Sequence, residues 1–568
     1  MKIPLFYLFA RTAGASACSL AALIFTLTVG GAGEAGAETR QKENNTDTLD
    51  QGTSWVQVTD PAPDPLTAPG IADIAQWDNL LTFANTSDLG TARSWLGIRV
   101  LDPAGAVTVT GLSPNTLTLG ASGIDLSAAT QNLTVSSPLV LGSAQTWNVA
   151  SGRFLNITTA GAGAVSGAGP LTIRGPGGVK LAGLAASYTF TGGMSVTGGT
   201  GLGNVAATPG GSALISAANL VFDLAANVAS VVGSSGPSSF NTPALTVGGG
   251  TVHTIGGARS SGSGTPAWVQ SSSLVVAAGH TNFTQSRGSS ARTINQFSSV
   301  TRAVAGTVNF RDPINSDGTA NANTGGYRIG TGANVNGIVP FATYTTSATN
   351  TAWFVAAGTG TNGTSSPTLT VSTATTLGTS TQNTDVGTDV ALSAATTVNS
   401  IRFNSGSART VTLDPAIPLT IGAGAILVTP NGSASHTIAG GLGSKVMGGN
   451  PGSGSGQDLI IHQHNNTSTF TISAEIADNV TATPLTKCGA GKFAIGGQST
   501  YTGNTYVNAG TLLVNGGLTA SPSVIVRLGG TLGGTGTIAG TVAADGTVAP
   551  GVAIGTLATG PVTFSSGS

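Results

Sequence analysis

Residues 107–157 read VTVTGLSPNTLTLGASGIDLSAATQNLTVSSPLVLGSAQTWNVASGRFLNI. Val107 and Val109 alternate with Thr108 and Thr110. Then come Leu117 and Leu119, Ile124 and Leu126, Leu133 and Val135, Val140, Trp147 and Val149, and Leu155 and Ile157. Each is a short period-2 segment, and successive segments are separated by Gly, Ser, Asn or Ala-Gly. Alternate side chains of a strand point to opposite faces, so each segment buries an aliphatic row and turns Thr, Ser or Asn outward.

Working outward from this stretch, the same rhythm runs through most of the chain. Many short strands with turn residues between them suit a sandwich, a barrel or a solenoid. Three features favour the solenoid: a spacing that stays near seven to eight residues, the absence of long helical intervals, and few charges anywhere. The strands are too short and too even to enclose a conventional core several elements deep. The expected fold is all-β, a parallel β-helix (solenoid) with inserted loops, its coils of three strands stacked into one rod.

Composition narrows the function. Of 568 residues, 85 are Gly and 25 Pro, 8% are charged and the formal net charge is −1. Without a basic stretch there is no counterion-release drive toward nucleic acid or an anionic membrane. Disorder fits poorly with 40% hydrophobic residues, and the glycines follow no three-residue collagen period.

Residues 1–37 read as a signal peptide: Lys2 and Arg11, an apolar run at 18–29 (CSLAALIFTLTV), then Ala35-Gly36-Ala37 in the form read by signal peptidase. A lipoprotein reading of Cys18 is disfavoured because Ala15 stands where an aliphatic residue is needed. Cleavage after Ala37 leaves Cys488 as the one cysteine, so the mature chain has no internal disulfide. No later run of 18 apolar residues offers a membrane-spanning helix. Residues 38–69 are polar and then Pro-rich, an N-terminal extension. The first part of the β-helix is expected over 70–250, a part with long loops over 251–370, and the second part over 371–568. Stretches 255–270 (IGGARSSGSGTPAWVQ) and 311–333 interrupt the rhythm and read as loops.

A longer repeat overlies the strands. Residues 171–183, LTIRGPGGVKLAG, align with 485–497, LTKCGAGKFAIGG, at an offset of 314. Residues 187–200, SYTFTGGMSVTGGT, align with 500–511, TYTGNTYVNAGT, at an offset of 311, so a three-residue insertion separates the halves.

The second copy resembles the autotransporter-associated β-strand repeat, also called the passenger-associated transport repeat. The matching positions are Leu485, Lys487, Gly489, Gly491, Gly497, Tyr501, Thr502, Gly503, Val507, Gly510, Thr511 and Leu512. The copy at 171–202 is weaker, with Ile173 and Arg174 in place of the usual Lys. The run at 529–551 and the stretch from Trp77 to 146–153 also look like parts of this family. The resemblance implies a right-handed β-helix, export by a bacterium with an outer membrane, and a repeat that assists transport across it. Many members end in a translocator β-barrel. The last hundred residues here are Gly-rich with no aromatic girdle, so either another protein carries the chain or the reading frame continues.

Catalytic and ligand signals are sparse. Asn383-Thr384-Asp385 matches the first tripeptide of the polygalacturonase signature, but the remaining elements are missing, and Asp385 and Asp389 read as turn residues. Of His253, His280, His436, His462 and His464, the i, i+2 pair His462 and His464 shares one strand face, where a metal is geometrically conceivable. Surface decoration is the preferred account. GTGTNG at 358–363 satisfies G-x-G-x-x-G, a match that chance supplies in a Gly-rich chain. Lys487 beside Cys488 could activate the thiol, although a small residue in a strand is the simpler account. The tryptophans (55, 77, 95, 147, 268, 353) look dispersed rather than grouped. The expectation is a secreted or surface-displayed protein with a structural or adhesive role. It has no catalytic residue, no enzymatic activity, no metal and no cofactor. Its expected partners are a cell-surface or polysaccharide ligand and a separate outer-membrane translocator, with no nucleic acid. The alternative is a carbohydrate-active β-helix enzyme.

Overall fold

The alternation in the opening stretch becomes strands with one buried face. Val107–Thr110, Leu133–Val135, Gln145–Val149 and Phe154–Ile157 bury every second residue, the aliphatic ones and Trp147 among them. The computed structural model describes residues 38–57, 67–112, 114–159, 165–182, 190–197, 220–223, 239–242, 244–255, 267–271, 273–286, 293–311, 325–329, 335–345, 352–355, 377–378, 380–449, 458–551 and 555–565. The expected signal peptide at 1–37 and the glycine motif at 358–363 lie outside them.

The described chain is all-β with parallel sheets and one 3-10 turn, Gly52–Ser54, an arrangement compatible with a β-helix. Apart from two antiparallel pairs described below, the described strands pair with ones two or three strands further along rather than with their neighbours in sequence. From Leu485 the register runs to Thr505, Val524, Val542 and Val562, so each rung returns after 18–20 residues. Three strands fill each return, for example Leu485–Cys488, Lys492–Ile495 and Gln498–Ser499.

Instead of one rod, the strands sort into two stacks. Residues 39–355 form sheets of 13, 11 and four described strands; residues 383–564 form sheets of 11, eight and four. Among the described strands only two pairs are antiparallel, Trp55–Gln57 on Thr39–Lys42 and Ala352–Val355 on Val339–Thr345. Both are the last strands of their sheets, where a reversed strand covers an edge that would otherwise present unpaired backbone groups. Residues 38–57, read from the sequence as part of an extension, thus supply two strands of the first sheet.

The stacks touch along a seam. Strands Gly279–Ser286 and Val339–Thr345 of the first stack, and Leu459–Gln463 and Leu485–Cys488 of the second, are buried at every position. Contacts between the stacks, such as Thr343 with His464 and the Pro340 carbonyl with His462, cover outward positions here, and the buried-exposed alternation is lost.

Two expectations are corrected. The stretches 255–270 and 311–333 are not loops throughout: Ala267–Ser271 and Gly325–Ile329 are strands of the four-stranded sheet, each paired in parallel with Thr293–Phe297. Tyr327 anchors the second, its hydroxyl lying 3.0 Å from the carbonyls of both Phe283 and Arg311, which share its one hydrogen. The tryptophans are not all dispersed. Trp55, Trp77 and Trp95 are buried with ring centroids 5.6 to 6.2 Å apart, because their strands lie close together at the capped end of one sheet.

Candidate functional site

The repeat defines the first region of interest. Its two copies fold alike: Leu171–Arg174 corresponds to Leu485–Cys488, Gly178–Ala182 to Lys492–Ile495, and Met194–Val196 to Thr505–Val507, at the offsets read from the sequence. Gly175 and Gly489 both follow the first strand with positive φ, +90° and +75°. A Cβ on either would sit 2.3–2.4 Å from a carbonyl oxygen of the preceding rung, Val149 or Gln463. A side chain at these positions would therefore separate the rungs.

The remaining repeat residues hold the coil together. Leu485, Val507 and Leu512 are fully buried. Gly491 brings its backbone close to Asn465, and Gly497, Gly503 and Gly510 approach the backbone of Ser473, Pro484 and Gly489. The Tyr501 hydroxyl is buried 2.6 Å from the Thr505 hydroxyl. Thr502 donates its amide and its hydroxyl to the Asp478 carboxylate, at 2.9 and 2.7 Å. Thr511 pairs with Lys492 and Thr531 in the sheet. Lys487, fully buried, directs Nζ at the carbonyls of Cys488, Gly489 and Ala509 at 3.0, 2.7 and 2.9 Å. Burial pulls its pKa down to about 7, while three acceptors around one nitrogen require three N–H groups and favour the ammonium form.

The neighbours of Lys487 on the strand, Thr486 and Cys488, face the second region, a polar cluster in the seam. Arg302 of the first stack makes a two-pronged ion pair with Asp458 of the second, at 2.6 and 2.7 Å. Both side chains are sequestered. Thr486 donates to the same carboxylate at 2.6 Å, and the Arg302 guanidinium lies 5.3 Å from the centre of the Phe341 ring. Arg302 and its hydrogen bonds hold the Asp458 carboxyl below its usual pKa against the opposing effect of burial, which is the largest single influence.

His462 bridges the stacks. Its Nε2 lies 2.7 Å from the Pro340 carbonyl, an acceptor only, so Nε2 carries the proton. That leaves Nδ1 to accept the Cys488 thiol hydrogen at 3.1 Å. His464 contacts the Thr343 hydroxyl at 3.0 Å and His280 contacts the Thr307 hydroxyl at 3.0 Å. Desolvation lowers His462 to about 4 and His280 to about 3, and holds His464 well below the ordinary range.

Thiol, imidazole and carbonyl are arranged in the order of a nucleophile, a base and the group that orients the base. The environment inverts that chemistry. Desolvation pushes Cys488 up to about 12, outweighing the opposing charge of Lys487, and the pair is neutral at neutral pH. Here it serves as a hydrogen-bonded joint.

Several site expectations change. His462 and His464, expected as surface decoration of a strand, are buried, and so are His253, His280 and His436. His253 bridges the hydroxyls of Thr284 and Ser286, at 2.7 and 2.9 Å. His436 stacks on Phe403 at 5.1 Å. The rings of His462 and His464 stack 6.2 Å apart, and among the described residues no three His, Cys, Asp or Glu side chains gather around a point where a metal would sit. Asp385 lies in the strand Asn383–Asp385 and pairs with buried Arg402 at 2.6 Å, so it is an ion-pair partner rather than a turn residue. Asp389 accepts the Thr410 amide at 2.9 Å. Sequence reasoning missed the seam, although two signals were present: the uninterrupted apolar runs 425–428 and 459–461, which suit strands buried on both faces.

No protein-family profile matches the chain, and no solved structure does. Two curated proteins resemble parts of it. One segment is 46% identical over 74 residues to a protein named extracellular serine protease from Serratia marcescens, covering 13% of this chain and 7% of that protein. The chain is also 30% identical over 147 residues to the Adhesin BmaC autotransporter of Brucella suis biovar 1 (strain 1330), covering 24% of this chain and 4% of that protein. The matches thus span a small fraction of either relative. The first corrects one expectation: with a protein named as a protease among its relatives, the exclusion of enzymatic activity drawn from the sequence is withdrawn. Among the described residues no helix is long and apolar enough to cross a membrane.

Proposed function

We propose that the chain is an exported passenger-type protein of a bacterial surface. In this reading it is a right-handed parallel β-helix with a structural or adhesive display role, and its repeat at 485–512 assists passage across the outer membrane. The observation that carries the reading is the pairing of relatives. A protease and an adhesin, named for different activities, share segments with this chain, and one name says extracellular while the other says autotransporter. Similarity to two proteins named for different activities points to scaffold rather than to one active site, since function resides in sites grafted onto a fold.

The way the rungs are built supports the export role. From residue 485 onward each coil pairs only with the coils before and after it, at 18–20 residue intervals. Such a stack can grow one coil at a time as the chain emerges, each coil templating the next. The repeat supplies what that growth requires: close-approach glycines, a buried Tyr501, and Lys487 tying three carbonyls across the turn. A separate outer-membrane translocator would complete the route.

The test is deletion of residues 485–512 in the bacterium that makes the protein, followed by fractionation. Loss of secretion identifies the repeat with export, and normal secretion with lost cell attachment identifies it with adhesion. Retention of the intact full-length protein in the cytoplasm would overturn the reading.

A further inference from the structure

A pocket of about 590 Å³ opens where the first stack meets the second. Its described lining is Val335, Asn336, Ser380, Thr397, Asn399, Thr420, Gly422, Gly449, Asn479 and Val480, with no charged side chain among them. The floor is a ladder of hydroxyls: Thr397 and Thr420 are register partners on adjacent rungs. Two turns form the walls, one at 335–338 and one at 479–481, each closed by an isolated backbone bridge. From these observations we infer that the pocket is a binding site for an uncharged oligosaccharide.

The argument rests on matching of polar groups. Among the described residues the hydroxyls of Ser380, Thr397 and Thr420 have no protein partner, so each is left with a donor and an acceptor. Asn336 gives one N–H to Asn399 at 3.0 Å, and Asn399 is itself held by Val335 and Asn383 at 3.1 and 2.7 Å. That leaves Asn336 its carboxamide oxygen and a second N–H. Asn479 is pinned through its Nδ2 to the Gly449 carbonyl and keeps its oxygen. A ligand whose groups both donate and accept fits such a lining. An anion would call for Arg or Lys, and a cation for carboxylates.

Size and backbone agree. The volume lies within the range of small-ligand pockets, about 300–1,000 Å³. Both walls carry a non-glycine residue with positive φ, Asn336 at 47° and Val480 at 68°. For a β-branched residue this conformation is costly, and such strain gathers at binding sites. Val480 is also 89% exposed, an apolar group at the rim where a sugar ring's C–H face could rest.

The inference leans on the surface-display reading only for where the sugar is met. Purified mature chain and neutral trisaccharides (maltotriose, cellotriose and chitotriose) are tested by saturation-transfer NMR, with trigalacturonate as the charged probe. The expected result is saturable binding of at least one neutral probe, weakened at least tenfold in Thr397→Trp, which fills the floor from an exposed strand position. If that variant melts lower than the parent, Val480→Gly, which relieves the positive φ, decides instead: weaker binding supports the site and unchanged binding overturns it. No neutral probe bound, equal binding by a correctly folded Thr397→Trp, or preference for trigalacturonate would likewise overturn it. Secretion is not measured here, so failure of the pocket leaves the export reading to its own test.

Discussion

The thiol of Cys488 is subject to two opposing influences. Lys487 next to it in sequence would stabilise a thiolate, while enclosure in the seam penalises any charge there, and enclosure prevails. Cys488 is therefore expected to resist iodoacetamide at pH 8 in the native protein and to react fully in guanidinium, as read by mass spectrometry. Labelling of the folded chain would contradict the joint described above. Its neighbour Asp458 poses a sharper energetic question. Removing one partner of a buried ion pair leaves the other charge uncompensated, at about 3–5 kcal/mol. Asp458→Asn should lower the unfolding free energy by about that much in urea titrations. The double variant Asp458→Leu/Arg302→Met should recover a large part of it, because neither charge is then stranded. These roles were only partly legible in the sequence. That Cys488 is a small residue in a strand could be read from its neighbours. Its partner His462 stands 26 residues earlier, and their contact depends on the register of the rungs.

Among the strands, the repeat was the most legible feature, because rung spacing leaves a direct trace in sequence. Gly175 and Gly489 sit at one repeat position and adopt one conformation, each against a carbonyl of the preceding rung. Gly489→Ala places a Cβ where φ is +75° and the nearest oxygen is 2.4 Å away. The substitution should cost more than the ~1 kcal/mol of an ordinary helix or strand glycine exchange, while Gly387→Ala, which has open space around it, should cost far less. Thermal melts of the two variants make the comparison. If the two match, rung contact is not the reason for the glycine. What sequence could not supply was the burial of both faces of Gly279–Ser286. Its outward residues are His280, Asn282, Thr284 and Ser286, types that face water elsewhere, and only their burial in the fold distinguishes the two environments.

At the scale of the whole molecule, the seam makes stability depend on pH. His280, His462 and His464 lie in it together with Arg302, Arg311, Asp458, Lys487 and Cys488. Each histidine has a folded pKa below the unfolded value near 6.5, so below pH 6.5 the unfolded chain binds protons that the folded chain does not. Stability therefore rises with pH across this window and falls on acidification. Full stability from these groups is present above pH 6.5 and is lost progressively toward about 4 for His462 and about 3 for His280. Lys487 has the same sign in a higher window, since its folded value of about 7 lies below the ordinary 10.5. Between pH 6.5 and 5 the penalty is on the order of 2 kcal/mol for His462 and for His280, in a range where ordinary carboxylates remain mostly ionised. The melting temperature should thus fall between pH 7.5 and 5, and His462→Gln should make the fall shallower while keeping a donor for Pro340. A melting temperature that holds steady or rises on acidification would mean that the seam histidines take up protons without loss of packing. The two stacks would then be joined by something other than this neutral, hydrogen-bonded interface.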